Sequence, residues 1–206
     1  MIKAVITDFD GVLRHWTRDK TGAVEAHCKL SPGTLSAICF QKDLLEPAIR
    51  GTCTKDVWFE QAHERLKTRY GQGIADNYLE AWKTERYRID HDLLARYREL
   101  FPEANLVLAT NATSGLPAEL NDADLSMAFS AMFNSSAMGV IKPERQYFQA
   151  VLMSLGLTAR EVVFIDDSST NVQAAAELGI PTVHYRSQTQ VVNDLTDLAL
   201  QSCLTT

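Results

Sequence analysis

Ile2-Lys3-Ala4-Val5-Ile6-Thr7-Asp8-Phe9-Asp10-Gly11 is a short, mostly β-branched run that ends abruptly in two acids and a glycine. Such a run reads as a buried strand with a turn at its carboxyl end. Three similar runs recur. Leu106–Ala109 ends at Thr110-Asn111, Val162–Ile165 ends at Asp166-Asp167, and Thr182–Tyr185 follows Gly179 and Pro181. Ala131–Phe133, ending at Asn134-Ser135, is a weaker fifth candidate. Between them lie helical patterns, with Leu93, Leu94, Tyr97 and Leu100 on one face and Tyr147, Phe148, Val151, Leu152 and Leu155 on another. Val172, Ala175, Ala176 and Leu178 repeat the pattern before Gly179. Strands that are apolar throughout, alternating with helices, predict an α/β fold, a doubly wound parallel sheet covered on both faces. Ligands of such sheets bind beyond the carboxyl ends of the strands, where the polar residues just named stand.

Residues from about 14 to 89 break the alternation and hold no convincing strand. Helices are expected over 34–45, from an N-cap at Thr54 to about Tyr70, and over 74–86. The expected organisation is a discontinuous core, 1–14 and 90–206, interrupted by an all-helical cap over 15–89. A last helix is expected within 187–206.

The whole chain bounds the rest. Its 206 residues suffice to bury about 70% of the unfolded surface without staples. With 20 basic and 26 acidic side chains the net charge is −6, which argues against sequence-independent nucleic-acid binding. Cys28, Cys39, Cys53 and Cys203 show no metal-binding spacing and read as free thiols. The N-terminal apolar run is too short for a signal peptide, and no stretch of 18 apolar residues suggests a membrane span. The expected compartment is cytoplasmic.

Asp8-Phe9-Asp10 is the most pointed local feature. Two carboxylates just past a strand can hold a hard cation such as Mg²⁺, and one can act as a nucleophile. By itself D-x-D-G is equally an Asx-type turn. Thr110-Asn111 offers neutral donors to a phosphoryl oxygen, although Thr or Asn at such a junction is also an ordinary cap. Lys142-Pro143 offers a cation on a turn. Asp166-Asp167-Ser168 sets two acids side by side, which repel unless a cation or donor stands nearby. Together these are the components of phosphoryl transfer: nucleophile, acid, metal ligands and donors.

In chain order, Asp8-Phe9-Asp10-Gly11-Val12-Leu13, Thr110-Asn111-Ala112, Lys142-Pro143-Glu144 and Phe164-Ile165-Asp166-Asp167-Ser168 resemble the four motifs of the haloacid dehalogenase superfamily, most of whose members are phosphatases. Asn171–Ala175 and Leu178-Gly179 resemble the segment after the fourth motif. The resemblance implies Mg²⁺-dependent hydrolysis of a small phosphomonoester through a phosphoaspartate on Asp8. Asp10 would protonate the leaving oxygen and then activate water. Mg²⁺ would be held by the Asp8 carboxylate, the Asp10 carbonyl and Asp167, with Asp166 orienting that shell. Thr110 and Asn111 would bind the phosphoryl group, and Lys142 would neutralise it. The second acid, Asp10, separates phosphatases from the metal-free dehalogenases of the family. The insertion resembles the family's cap, so Arg50 and the loop Gly51–Asp56 are expected to face the site and meet substrate. Arg14, His15 and Trp16 could line the cleft. The expected substrate is a phosphorylated sugar, organic acid or nucleotide. A sugar phosphomutase, or a binding module that kept the fold, are the alternatives.

Overall fold

The computed structural model describes residues 1–204. The chain opens with β1 (Ala4–Thr7) and β2 (Arg14–Trp16). Five helices follow: α1 (Asp19–His27), α2 (Thr34–Cys39), α3 (Lys42–Ile49), α4 (Lys55–Tyr70) and α5 (Gln72–Lys83). β3 (Tyr87–Ile89), α6 (His91–Leu100), β4 (Asn105–Thr110), α7 (Leu116–Asp122), β5 (Ala131–Asn134) and α8 (Ser135–Met138) come next. The chain continues through α9 (Arg145–Leu155), β6 (Val162–Asp166), α10 (Ser169–Ala176), β7 (Thr182–His184) and α11 (Gln188–Leu204).

The main sheet has the order β5-β4-β1-β6-β7 and is parallel throughout, with Ile6 opposite both Val107 and Phe164. Alternation along β1 explains its uninterrupted apolar reading. Val5 packs with Leu93, Tyr97, Leu108 and Leu195 on one face, while Ala4 and Ile6 pack with Tyr147, Phe148 and Phe164 on the other. Helices cover both faces, so neither residue parity meets water. Strands are added to one side of β1 and then to the other, and this switch of strand order leaves a crevice at the carboxyl ends of β1, β4 and β6.

Over the insertion the structure departs from the sequence reading. Arg14–Trp16 and Tyr87–Ile89 form a two-stranded antiparallel ribbon, where no strand was expected. Three residues show too little alternation to betray a strand, and the pairing joins positions over seventy apart. The expected helix over 34–45 is two helices, α2 and α3, broken at Phe40-Gln41. Thr54 caps α4 as expected, its hydroxyl accepting from the Val57 N–H at 3.3 Å. Leu35, Ile38, Trp58, Leu66 and Tyr78 form the apolar core of this helical layer. Trp58 belongs to it, its indole N–H donating to the Cys39 carbonyl. Glu85 ties the layer to the ribbon: its carboxylate accepts from the backbone N–H groups of Lys20 and Thr21 at the start of α1.

Cys28, Cys39 and Cys53 are free thiols, and the side chain of Cys203 lies outside the described residues. Thr205 and Thr206, the end of the expected last helix, also lie outside them. Among the described residues no helix is long and apolar enough to cross a membrane.

Candidate active site

The crevice gathers the polar strand ends. Asp8 follows β1, its N–H bonded to the Ile165 carbonyl at 2.9 Å, and its Oδ1 accepts from the Phe9 N–H at 2.8 Å. Asp166 ends β6, and Asp167 follows it. One carboxylate oxygen from each of Asp8, Asp166 and Asp167 lies within 4.8 Å of the others. Lys142 projects into this cluster, Nζ standing 3.0 Å from Asp8 Oδ1, 2.6 Å from Asp166 Oδ2 and 2.9 Å from the Ala109 carbonyl.

Three carboxylates and one ammonium, all but Asp167 buried, leave an excess of negative charge. Burial pushes the Asp8 carboxyl up to about 7; Lys142 pulls the other way, and Asp166 adds to the rise. Burial lowers the Lys142 ammonium, but Asp8 and Asp166 outweigh it and hold it above its ordinary value. Asp167 is also raised, by burial first and by Asp166 second. A divalent cation would relieve all three carboxylates, and the hard oxygen donors suit Mg²⁺.

The two adjacent acids differ in what they have left to offer. Both oxygens of Asp166 already accept hydrogen bonds, Oδ1 from the Ser168 N–H and the Asn171 amide, Oδ2 from Lys142 and again from Asn171. Asp167 is exposed, and its carboxylate lies against Gly11. A Cβ built on Gly11 would stand 2.2 Å from Asp167 Oδ2, and Gly11 has φ +83°. The glycine of D-x-D-G is therefore needed twice, for the left-handed turn and for the approach of Asp167. Gly11→Ala is expected to push Asp167 outward and to weaken the Mg²⁺ binding proposed below about 10- to 100-fold, as measured by metal titration.

Asp10 is not in the carboxylate cluster. Its Oδ1 accepts from Arg14 Nε at 2.7 Å and Trp16 Nε1 at 2.8 Å, and its Oδ2 accepts from Arg14 Nη2 at 2.7 Å. Arg14 is buried, stacked 4.3 Å from the Phe9 ring centre, and also pairs with Glu119, which Lys55 of α4 reaches at 2.8 Å. Asp10 thus sits at one end of a charged chain running from the first motif through the ribbon and α7 to the helical layer. Sequence reading placed Arg14 at the cleft but not this fork, because Glu119 and Lys55 reach it only through tertiary packing.

Thr110 is buried at the end of β4. The Asn111 side chain grips the backbone of Lys142: its amide donates to the carbonyl at 2.8 Å, and its oxygen accepts the N–H at 2.9 Å. In this structure Asn111 acts on the site by fixing the lysine. Asn171, in the first turn of α10, reaches back to both oxygens of Asp166; the family resemblance covers it but assigns it no role. Arg50 stands apart. Its guanidinium pairs with Glu46 at 2.8 Å and with both oxygens of Glu144, and it does not line the crevice. In this structure Arg50 is held by these two carboxylates and ties α3 to the turn carrying Lys142. The neighbouring loop does reach the core, since a Cβ on Gly51 would lie 1.9 Å from the Ser136 carbonyl.

A parallel five-stranded sheet with acids at the ends of two adjacent inner strands, β1 and β6, and a buried lysine between them is the arrangement of a haloacid dehalogenase-type hydrolase. The family model for haloacid dehalogenase-like hydrolases matches residues 2–179, and the chain belongs to that family. The chain is 27% identical to drimenol cyclase of Aspergillus calidoustus over 206 aligned positions, 96% of this chain and 37% of that one. It is 34% identical to the sesquiterpene phosphatase of Aspergillus oryzae over 56 residues, 27% of this chain and 29% of that protein. The chain thus spans about a third of the length of these curated relatives. Among solved structures, a HAD family enzyme of Bacteroides thetaiotaomicron in complex with magnesium and inorganic phosphate superimposes with a TM-score of 0.68 at 22% identity, over 90% of this chain and 95% of that one.

Proposed function

We propose that the chain is a Mg²⁺-dependent phosphatase that hydrolyses a phosphomonoester by transient phosphorylation of Asp8. The contact of Asp8 with Lys142, inside the cluster with Asp166 and Asp167, carries this reading. The carboxylate of Asp8 attacks phosphorus, a phosphorus–oxygen bond to Asp8 forms, and the ester bond to the alcohol breaks. Asp10 gives its proton to the departing oxygen. Water then attacks phosphorus with its proton passing to Asp10, which releases phosphate and restores the Asp8 carboxylate. Lys142 stays charged throughout and offsets the meeting of two anions. Asp8, Asp167 and the Asp10 carbonyl would hold Mg²⁺, which when bound supplies further charge neutralisation at the phosphoryl group. Asp166 positions Lys142 and Asn171 around them. The local similarity to a sesquiterpene phosphatase supports phosphate release as the reaction class.

An aryl phosphate tests this directly. Excess chelator is expected to abolish release of the aryl alcohol, and added Mg²⁺ to restore it. Activity undiminished by chelator would remove the metal assignment. With hexose phosphates, an isomeric phosphate in place of free sugar and inorganic phosphate would replace hydrolysis by a mutase reaction.

A further inference from the structure

One wall of the crevice is unlike the charged floor. A cleft of about 1700 Å³ runs from Asp10 and Asn111 into the helical layer. That is larger than the roughly 300–1,000 Å³ usual for small-molecule sites, and a phosphate with a three- to six-carbon polar body would leave most of it unfilled. Its far side carries Phe40, Phe59 and Trp82, continuous with Leu45, Ile49 and Leu79. The Phe40 and Trp82 ring centres are 5.2 Å apart, and those of Phe59 and Trp82 are 4.7 Å apart. Phe40 is 49% exposed although it belongs to this cluster, and Trp16, on the ribbon at the same cleft, is 37% exposed. Aromatic rings left wet beside a pocket favour an apolar occupant that takes them out of water.

The charges of the lining point the same way. Of the four lysines and arginines in the lining, Arg14, Arg18, Lys55 and Lys83, Arg14 and Lys55 already pair with Glu119, and acids outnumber the four. The outer lining adds Asp56, Glu60, Glu64 and Glu80. A second phosphate or a carboxylate on the substrate would meet these acids, as a nucleotide diphosphate or a phosphorylated acid would. An uncharged hydrocarbon tail meets none of that repulsion.

Resting on the phosphatase reading of Asp8, we infer that the substrate is the monophosphate of a long apolar alcohol, an isoprenoid or fatty chain that lies along Phe40, Phe59 and Trp82. The phosphate sits at the strand ends, and the hydrocarbon leaves as the free alcohol. This narrows the substrate away from the sugars, organic acids and nucleotides that the sequence suggested.

Linear alkyl monophosphates from ethyl to decyl, each kept below its micelle-forming concentration, test the inference by phosphate release, with p-nitrophenyl phosphate as the control. kcat/KM is expected to rise about threefold per methylene, a little under the limit for full burial of each group. Phe40→Ala removes an exposed ring, so folding is not at stake; it is expected to lower the decyl-to-ethyl ratio at least about tenfold, as is Trp82→Ala. Farnesyl monophosphate is expected to exceed glucose 6-phosphate by at least about a hundredfold. A flat or falling series with p-nitrophenyl phosphate still hydrolysed would overturn the inference and leave the phosphatase reading standing. No turnover of any ester, the control included, would overturn the phosphatase reading and this inference with it.

Discussion

Asp8→Asn is expected to lower turnover of any phosphomonoester at least about 10⁴-fold, the scale seen when a covalent nucleophile is removed. An amide oxygen is a far poorer nucleophile than a carboxylate, and no neighbour can replace it. Asp166 is committed to Lys142, Ser168 and Asn171, and Asp167 approaches from the Gly11 side. The fold should survive. The amide oxygen of asparagine can still accept from the Phe9 N–H and from Lys142, as Asp8 Oδ1 does now. The substitution also removes a charge that burial disfavours. The Asp8 carboxyl is raised to about 7 in the folded protein, from an ordinary value of 3.8. An acid so raised opposes folding where it is ionised, above the folded value, and is neutral in both states well below the ordinary one. In the absence of metal, Asp8→Asn should therefore match the wild type in thermal midpoint at low pH and exceed it above about pH 7. Retained turnover of the variant would remove Asp8 as the nucleophile.

Asp10→Asn is expected to cost about 10²- to 10⁴-fold, the range for a positioned acid–base group, and the loss should depend on the leaving group. An alkyl alcohol needs a proton as it departs, so phosphorylation of Asp8 by an alkyl phosphate should slow steeply. An aryl alcohol leaves unaided more readily, so its first step should suffer less. In the proposed mechanism the second step needs Asp10 as base with either substrate, so phosphoenzyme is expected to accumulate from the aryl ester. Rapid-quench measurement of both steps separates the roles. Formation from an alkyl phosphate at the wild-type rate would show that Asp10 is not the acid. The fork from Arg14 and the Trp16 indole hold this carboxylate outside the metal cluster. For Asp10 to meet the leaving oxygen it must turn from that fork, or the oxygen must arrive beside it.

Much of the floor of the crevice was readable from residue order. A short strand ending in D-x-D-G predicted where the chain would turn, since a buried strand cannot continue through two acids without partners. The same logic at Thr110-Asn111 and Asp166-Asp167 located the other strand ends of the crevice, and parallel pairing in register brings them together. The near-continuous apolar strands announced a sheet covered on both faces, because neither parity of residue could be left to water.

Residue spacing alone did not separate Asp166 from Asp167; only the family resemblance implied different tasks for them. Neighbours in sequence with the same side chain are separated only by what surrounds them: Asp166 meets Lys142 and Asn171, whereas Asp167 meets the bare Cα of Gly11. Arg50 was equally opaque, since its partner Glu144 lies ninety-four positions away.

By itself the sequence determined the parallel α/β sheet and the acids at its carboxyl edge, because periodicity and strand ends are local properties of the chain. Only the tertiary structure decided the β2–β3 ribbon, the charged chain from Asp10 to Lys55, the task of Arg50 and the aromatic wall of the cleft. Each of these depends on contacts between residues far apart in the chain, and such contacts leave no mark on local spacing.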